Sequence, residues 1–520
     1  MKRLNLWLIL SGALFALINR VIIPFGNVFT DHGIILNTPD AYYMVRLADL
    51  LPHSGIDYFS NYPVGAESLP QIVWAIMIKT MAVITGSHIA AAAILPPIIF
   101  GLTLLAVYLL ASNLFNKTIA AMSIFILCIL PGEILTRTML GAGDYHCLEA
   151  LLMTAAIALI ITAVKSDASA VYKGLLLIAA AGTILLYWLS WQGAVIILLI
   201  IGLAVLYWLF LNSFDNRSSK IKFIIVSIPI LAGLIWMRQS ETYNIVMSTI
   251  AGAGLNQTIT ECYPLFFTAG QFDITTMMAY YGLAFYLILF GIGWLSYRTV
   301  KYRRFADVLF LFYSLITFSM MLMYRRFDYY FAISGAIITA FVIYRLYQVI
   351  GRQHMVRTII IFLAIISLPL AKQSVVVSGL SQAAPSSDWV NTCQWLQEQN
   401  TAAHERAYYN GSLPAYGTLA WWNYGYWLME IGHQAVLCHG GTADNGCSDI
   451  LLSTSDDDAI RQLRQLGMRY MVIDKDTLYN NVSLRVGDLE STFMYKAYAG
   501  QVKGLKLAYQ SNDVKVYELK

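Results

Sequence analysis

Eleven apolar runs constrain the fold of this chain more than any other feature of its sequence. A helix that crosses a bilayer needs about 20 mostly apolar residues, and most of these runs reach or approach that length. A shorter apolar stretch at 70–86 carries Lys79 in its middle and is interpreted as an interfacial or re-entrant helix. Residues 1–372 are therefore predicted to form a polytopic α-helical membrane domain with 11–13 transmembrane helices. The runs lie at about 1–25, 89–112, 118–135, 145–164, 172–190, 193–212, 222–237, 277–296, 306–323, 329–349 and 356–372.

The charged residues are distributed unevenly along the chain. They make up 12% of the sequence, against about 25% in an ordinary globular protein, and 26 of the 64 lie in residues 373–520. This tail is predicted to be a soluble mixed α/β domain, with strands at Met468–Asp474 and Val514–Leu519 and a helix at Asp457–Leu466. The distribution excludes a disordered chain, a small disulfide scaffold and a cytosolic enzyme. The net charge of +4 indicates no nucleic-acid partner, because basic residues of membrane proteins mainly encode orientation.

Lysine and arginine residues fall in alternate short loops between the apolar runs. Because short loops rich in these residues stay in the cytoplasm, the remaining loops and the tail are predicted to lie on the periplasmic or extracellular side of the cell (inner) membrane. Cys438 and Cys447 lie in the tail and can pair there if that compartment is oxidising, or remain reduced if it is not. The segments predicted to be outside are the first loop 26–88, the short loop around Asp144, the long loop 238–276, the turn at Arg325–Arg326 and the tail.

Three outside loops each contribute an acidic residue. The first loop has Asp40 in TPDAYY, the second has Asp144 and His146 in GAGDYHC, and the third has Glu261 in TITEC. Oxygen ligands combined with one imidazole suit a hard divalent cation such as Mn²⁺ or Mg²⁺, so the four residues together form a candidate metal site. Taken singly, each acid is better explained as a solvated loop residue or a helix cap.

The most distinctive string in the tail is WWNYGYW, residues 421–427. Two adjacent tryptophans beside a side-chain amide form an apolar slot that offers hydrogen-bond donors and one acceptor. Such a slot suits a short peptide that bears a hydroxyl or methyl group. An aromatic cluster of this kind can also belong to a domain core.

The order of these motifs resembles that of the catalytic subunit of oligosaccharyltransferase, the enzyme of asparagine-linked protein glycosylation. The matching features are Asp40 in the first loop, RTMLGAGDYH in the second, TITE in the long loop and WWNYGYW after the last span. The bacterial and archaeal single-subunit forms are the most similar in length. The resemblance extends to Asp474 and implies a GT-C-like membrane glycosyltransferase. Its donor would be a lipid-linked oligosaccharide, carried on a polyprenyl phosphate or pyrophosphate, and its acceptor an Asn-x-Ser/Thr segment of a protein.

The resemblance also assigns roles in catalysis. Asp40 and Glu261 would hydrogen-bond the acceptor amide and turn its nitrogen out of conjugation with the carbonyl, since that conjugation makes an amide a poor nucleophile. Asp40, Asp144, His146 and Glu261 would hold the divalent cation. Attack at the anomeric carbon, in line with departure of the lipid phosphate, would invert that centre.

Binding roles follow from the same resemblance. Trp421, Trp422 and Asn423 would hold the Ser or Thr of the acceptor segment. Arg326 would contact the lipid-linked phosphate, with the adjacent Arg325 as a competitor for this role.

The chain departs from the family pattern at three points. Asn423 stands where the family usually has Asp, the second acceptor-binding motif is not evident, and eleven spans are fewer than the usual thirteen. Two other functions stay open. One is a polyprenyl-phosphate-dependent membrane glycosyltransferase with a non-peptide acceptor. The other is a transporter with an outside binding domain, which the acid Glu149 inside a span weakly favours.

Overall fold

The chain folds into two compact units. The helical unit comprises residues 1–25, 96–140 and 145–380, and the sheet-containing unit comprises residues 26–95, 141–144 and 381–520. The first outside loop and the GAGD segment therefore belong to the same unit as the tail. The computed structural model describes residues 2–64, 71–213, 265, 267–268, 271–272, 274–350, 355–380, 384–441, 446–482 and 487–520.

Long apolar helices make up the helical unit and follow the predicted runs closely. The run at 222–237 lies outside the described residues. Residues 88–95 of the helix that begins at His88 are part of the sheet-containing unit. The helices are Lys2–Leu17, His88–Leu114, Lys117–Ile129, Glu133–Thr136, His146–Lys165, Ala170–Ser190, Val195–Ser213, Thr275–Tyr281, Ala284–Tyr302, Phe305–Met323, Asp328–Ile350 and Met355–Gly379.

The chain is a multi-pass membrane protein. In its described part, eight helices are long and apolar enough to cross a membrane, and a ninth span results if the bent pair Thr275–Tyr281 and Ala284–Tyr302 counts as one. The predicted number of 11–13 also includes the run at 222–237 and the run at 118–135. The latter forms the apolar helix Lys117–Ile129, whose 13 residues are fewer than a spanning helix usually needs.

The helix Asp328–Ile350 is the central helix of the helical unit. It packs against Lys117–Ile129, Ala284–Tyr302 and Phe305–Met323. In its most apolar stretch 94% of the residues are buried, against 11% in the helix Ala170–Ser190. The central helix is therefore surrounded by protein, whereas Ala170–Ser190 exposes apolar side chains. Helices that are apolar on all sides, as these are, are typical of membrane spans.

A five-stranded sheet forms the centre of the tail. Met468–Asp474 and Val514–Leu519 pair antiparallel, with Val472 opposite Val516, and both strands have the predicted bounds. The predicted helix at 457–466 forms as Asp456–Gln465, and the Ser455 hydroxyl accepts the Asp458 N–H at its start. In spatial order the strands are Leu505–Gln510, Val514–Leu519, Met468–Asp474, Gly417–Leu419 and Ala435–Val436. Gly417–Leu419 is parallel to both of its neighbours.

Short helices complete the sheet-containing unit. The stretch predicted to be interfacial or re-entrant forms the helix Ile72–Thr85, whose 14 residues are too few to span a bilayer. The other helices are Pro39–Leu50, Ser387–Glu398, Ala402–Asn410, Gly425–Glu430, Cys447–Leu451 and Phe493–Tyr498.

Candidate active site

Asp40 lies in the first turn of the helix Pro39–Leu50. Thr38 before it has extended backbone angles, and proline is well suited to the first helical position because its missing N–H would have no partner there. The N–H groups at a helix start carry partial positive charge, which favours a carboxylate. The partial positive charge of the helix start therefore lies beside the Asp40 carboxylate, which is at an exposed position.

The segment that leads to Asp144 runs beside the segment that leads to Asp40. The Thr38 hydroxyl donates to the Ala142 carbonyl at 2.8 Å, although 104 residues separate the two in sequence. The residues immediately before them form a backbone hydrogen bond of 2.7 Å. The structure thus brings together two of the loops whose acids the sequence analysis selected, within one unit.

Gly143 explains why small residues precede Asp144. Its φ is +59°, and a Cβ there would lie 2.5 Å from the Cβ of Ala41, so no other residue fits this conformation and this space. The Gly143 carbonyl accepts the indole N–H of Trp74 at 2.8 Å. Asp144 itself is 1% exposed.

His146 begins the helix His146–Lys165 in the helical unit, two residues after Asp144. Its Nδ1 lies 2.9 Å from Oε1 of Glu149, one helical turn further on. The hydroxyls of Tyr329 and Tyr330 donate to the other oxygen of Glu149 at 2.7 and 2.6 Å. Sequence analysis considered Glu149 only as an acid inside a span. The His-x-x-Glu spacing on one helix face was the signal that could have paired it with His146.

The predicted ligands offer carboxylate oxygens and one imidazole nitrogen, which are groups that bind a divalent cation. Asp40 and Asp144 end adjacent segments, and a histidine whose Nδ1–H bonds a carboxylate presents the lone pair of Nε2, as metal-binding histidines usually do. Glu261, the fourth predicted ligand, lies outside the described residues. Among the residues that the structure does describe, no group of three or more His, Cys, Asp or Glu side chains is close enough to hold a metal.

The WWNYG motif forms a tight turn against the tail domain. Trp421 is buried, and residues Trp422–Tyr424 form one 3₁₀ turn before the helix Gly425–Glu430. The Tyr424 ring stacks on Trp389 with ring centres 4.1 Å apart, and its hydroxyl lies 2.6 Å from the Thr477 hydroxyl. These contacts with Trp389 and Thr477 hold the turn in place.

Asn423 offers an unused hydrogen-bond acceptor in this turn. Its Oδ1 is buried and has no hydrogen-bond partner among the described residues. Buried polar atoms of native proteins are nearly always paired, so an exception is typical of a position that a ligand or a water completes.

A second turn of the tail reaches Asp40. A Cβ at Gly440 would lie 3.4 Å from Asp40 Oδ1 and 3.1 Å from the ring of Tyr426. The Tyr426 ring stacks on Tyr43 at 5.2 Å, and its hydroxyl accepts the Gly441 N–H at 3.0 Å. This turn, residues 438–441, thus connects the WWNYGYW motif with the helix that carries Asp40. Gly440 and Gly441 could not be assigned to the site from the sequence, because no local pattern predicts a contact over such a separation.

His439 stabilises the same turn as a neutral ring. Its Nδ1 accepts the Gly441 N–H at 3.0 Å, and its Nε2–H donates to the Ser60 carbonyl at 2.7 Å. Burial lowers the pKa of His439 to about 4, against an ordinary value of 6.5. The ring therefore stays uncharged at neutral pH, as its two hydrogen bonds require.

Cys438 and Cys447 form a disulfide that closes the segment containing this turn. Both residues are buried, with exposures of 3% and 1%. The pairing that the sequence left open is therefore present.

The two adjacent arginines lie in the 3₁₀ turn Arg325–Phe327 of the helical unit. Arg325 donates to the Tyr280 hydroxyl and lies 3.5 Å from the Glu133 carboxylate. The Tyr280 hydroxyl also donates to Glu133 at 3.2 Å. The charge of Arg325 is thus balanced by an acid of its own unit.

Known proteins resemble this chain over nearly its full length. Dolichyl-phosphooligosaccharide-protein glycotransferase 3 of Archaeoglobus fulgidus is 24% identical over 91% of this chain and 69% of the relative. Oligosaccharyltransferase AglB of the same archaeon, solved with an inhibitory peptide and a dolichol-phosphate, is 19% identical with a TM-score of 0.84, covering 98% of this chain and 80% of that one. ArnT of Cupriavidus metallidurans, solved with undecaprenyl phosphate, is 12% identical with a TM-score of 0.56 and covers 99% and 97%. The expected GT-C-like fold is confirmed.

A further A. fulgidus oligosaccharyltransferase structure carries a tethered acceptor peptide with an NVT sequon. It is 21% identical, with a TM-score of 0.77 over 100% of this chain and 74% of that one. The profile described as AglB core domain matches residues 386–478. The profile described as oligosaccharyl transferase STT3, N-terminal, matches residues 12–378, well over half of the sequence. The chain therefore belongs to the oligosaccharyl transferase STT3 family.

Proposed function

We propose that this chain transfers a glycan from a polyprenyl-phosphate or polyprenyl-pyrophosphate carrier to the side-chain amide of Asn in Asn-x-Ser/Thr sequons, with inversion at the anomeric carbon. The observation that carries the proposal is that the segments of Asp40, Asp144 and the WWNYGYW motif belong to the same sheet-containing unit. That unit places Asp40 beside the GAGD segment and joins the helix of Asp40 to the WWNYGYW helix through the stacked rings of Tyr43 and Tyr426. A group that acts on an amide and a slot for the acceptor thus lie on one rigid support.

The acceptor slot is supported by the unused Oδ1 of Asn423. A Ser or Thr hydroxyl two residues after the acceptor Asn would donate to this oxygen, while Trp421 and Trp422 would provide an apolar wall for the threonine methyl. The relative solved with an NVT peptide is an oligosaccharyltransferase of the same fold. We extend peptide binding from that relative to this chain.

Asp40 would act on the nitrogen of the acceptor amide. An amide nitrogen shares its lone pair with the carbonyl and attacks poorly. Ionised carboxylates form strong hydrogen bonds with N–H groups, so Asp40 and Glu261, one on each N–H, would turn the nitrogen out of conjugation. The position of Asp40 in the first turn of its helix supports this role, because the partial positive charge there attracts a carboxylate.

A divalent cation, Mn²⁺ or Mg²⁺, would be held by Asp40, Asp144, His146 and Glu261 and would neutralise the phosphate leaving group. A related A. fulgidus oligosaccharyltransferase was crystallised with Zn and sulfate. Arg326 would add a positive contact to the phosphate.

The reaction is tested by expressing the chain together with a lipid-linked oligosaccharide pathway and a reporter protein that has one Asn-x-Thr site. We expect a glycan mass on that Asn, none on a Gln-x-Thr reporter, and loss of transfer when EDTA removes divalent cations. A glycan attached to a lipid or to another glycan, with the Asn unmodified, would instead establish a non-peptide acceptor.

Asn423→Asp is expected to preserve or improve transfer. An ionised acceptor strengthens the hydrogen bond from the sequon hydroxyl, and bonds to charged groups are worth about 1 kcal/mol more than neutral ones. The apparent affinity for acceptor peptide should rise about fivefold. The gain should be larger for Asn-Ala-Ser than for Asn-Ala-Thr, because serine lacks the methyl that packs on the tryptophans.

Affinities of the two matched peptides for wild type and the Asp variant provide the measurement. Asn423→Ala is the control, since it removes the acceptor oxygen without adding charge and should weaken both peptides. A weaker affinity of both peptides for a folded Asp variant would show that the slot does not bind hydroxyls.

The tail and Asp40 are proposed to lie outside the cytoplasm. The disulfide Cys438–Cys447 supports this orientation, because such bonds persist mainly in oxidising compartments. A reporter that is active only outside the cytoplasm should work when fused after Lys520 and fail when inserted at Arg303. Activity at Arg303 would contradict the orientation, and a cytoplasmic reporter at the same two positions should give the opposite pattern.

A further inference from the structure

Glu149 is the clearest acid inside a predicted span, and the proposed reaction does not use it. It is 0% exposed and lies in the first turn of the helix His146–Lys165. A buried carboxylate is costly unless it is fully hydrogen-bonded. Its surroundings in the helical unit therefore indicate what it is retained for.

Three side chains among the described residues form hydrogen bonds with the two carboxylate oxygens of Glu149. His146 Nδ1 lies 2.9 Å from Oε1, and the hydroxyls of Tyr329 and Tyr330 donate to Oε2 at 2.7 and 2.6 Å. The Tyr330 hydroxyl also lies 2.6 Å from the Tyr187 hydroxyl of another helix. Two tyrosines thus hold one oxygen of the carboxylate, a third tyrosine supports Tyr330, and the other oxygen contacts His146.

The imidazole of His146 is fixed as well. Its ring lies between those of Tyr145 and Tyr329, with ring centres 4.6 and 5.7 Å away. Among the described residues, His146 is the basic side chain that pairs with Glu149. A carboxylate oxygen accepts a hydrogen bond, so the 2.9 Å contact with Oε1 places the N–H of a neutral His146 ring on Nδ1 and its lone pair on Nε2.

We propose that Glu149 is a positioning residue, which sets the tautomer and ring orientation of His146 so that Nε2 binds the divalent cation. The proposal rests on the metal site of the proposed function. A carboxylate behind a metal-binding imidazole fixes the ring and raises its basicity, and loss of such a partner typically lowers metal affinity about tenfold to a hundredfold. Tyr329 and Tyr330 would act one step further out, by holding the carboxylate.

The test is Mn²⁺ binding to the purified full-length protein, measured from the electron paramagnetic resonance signal of free Mn²⁺. Glu149→Gln keeps the shape and can still accept from His146, but removes the charge. We expect its Mn²⁺ affinity to fall about tenfold or more, and its transfer activity to recover when Mn²⁺ is raised. Tyr329→Phe, which keeps the carboxylate and removes one of its donors, should show a smaller loss of affinity in the same direction.

Asp307→Asn is the matched control. Asp307 is an equally buried acid of the same unit, paired with Arg298 at 3.0 Å. Its variant should lose thermal stability as Glu149→Gln does, without any change in Mn²⁺ affinity. If Glu149→Gln does not fold, Tyr329→Phe decides, and unchanged affinity in that variant overturns the proposal.

The outcomes separate this proposal from the proposed function. Mn²⁺ affinity lost in His146→Ala but unchanged in a folded Glu149→Gln overturns the positioning role and leaves the metal site intact. Absence of Mn²⁺ binding in the wild type overturns both. A parallel shift of Mn²⁺ affinity and of the Mn²⁺ concentration needed for transfer supports the role of Glu149.

Discussion

Asp40→Ala is expected to reduce kcat/KM for glycan transfer on the order of 10³-fold or more, since single electrostatic groups at reaction centres are already worth 10²–10³-fold. The substitution removes a hydrogen-bond acceptor for the amide and a proposed ligand of the cation at once. Helix formation should survive it, because Thr38 and Pro39 still begin the helix. Single-turnover transfer to a fluorescent Asn-x-Thr peptide gives the rate, and the melting temperature reports the fold.

Asp31→Ala is the control for Asp40→Ala. Asp31 is an exposed acid of the same segment, residues 26–88, so its removal changes the charge of that segment equally and should leave transfer unaffected. Asp40→Asn adds a further distinction, because it keeps the side-chain shape and should be nearly as inactive as the alanine variant. Near wild-type transfer by a folded Asp40→Ala protein would remove Asp40 from the reaction.

Features with a local cause were predictable from the sequence. The bounds of most helices agree with those of the apolar runs within a few residues. A membrane span must form its backbone hydrogen bonds within its own segment, so its apolar run is a local signal. The strand Met468–Asp474 and the helix start at Ser455 were predictable for the same reason, since alternation and capping depend on neighbours in sequence. The family resemblance depended on the order of short motifs, which likewise needs no knowledge of packing.

Contacts between distant segments were not predictable. Nothing near Thr38 indicates that its hydroxyl bonds Ala142, and nothing near Tyr43 indicates that its ring stacks on Tyr426. Glu149 illustrates the consequence. Hydropathy alone placed a charge inside a span and favoured a transport path, whereas in the structure three hydrogen bonds hold that charge beside His146.

Gly440→Ala is expected to lower kcat up to about tenfold, because a misplacement of about 1 Å in a catalytic group can cost about a hundredfold and the shift here is smaller. The added methyl would lie 3.1 Å from the Tyr426 ring and 3.4 Å from Asp40 Oδ1. The Tyr426 ring cannot give way easily, since Tyr43 stacks on one side of it and His439 lies 4.8 Å away. The turn at Gly440 must therefore shift by a few tenths of an ångström, and the Asp40 carboxylate, in van der Waals contact with the new methyl, is expected to shift with it.

The split between kcat and KM distinguishes displacement of Asp40 from general damage to the tail. Trp421, Trp422 and Asn423 lie outside the contact of the new methyl, so peptide affinity should stay within about twofold while kcat falls. Gly26→Ala is the matched control, because a Cβ at Gly26 meets nothing within 4 Å in the same unit. A carboxylate that must bond an amide N–H in one geometry does not tolerate displacement. A folded Gly440→Ala protein with wild-type kcat would therefore contradict this role of Asp40.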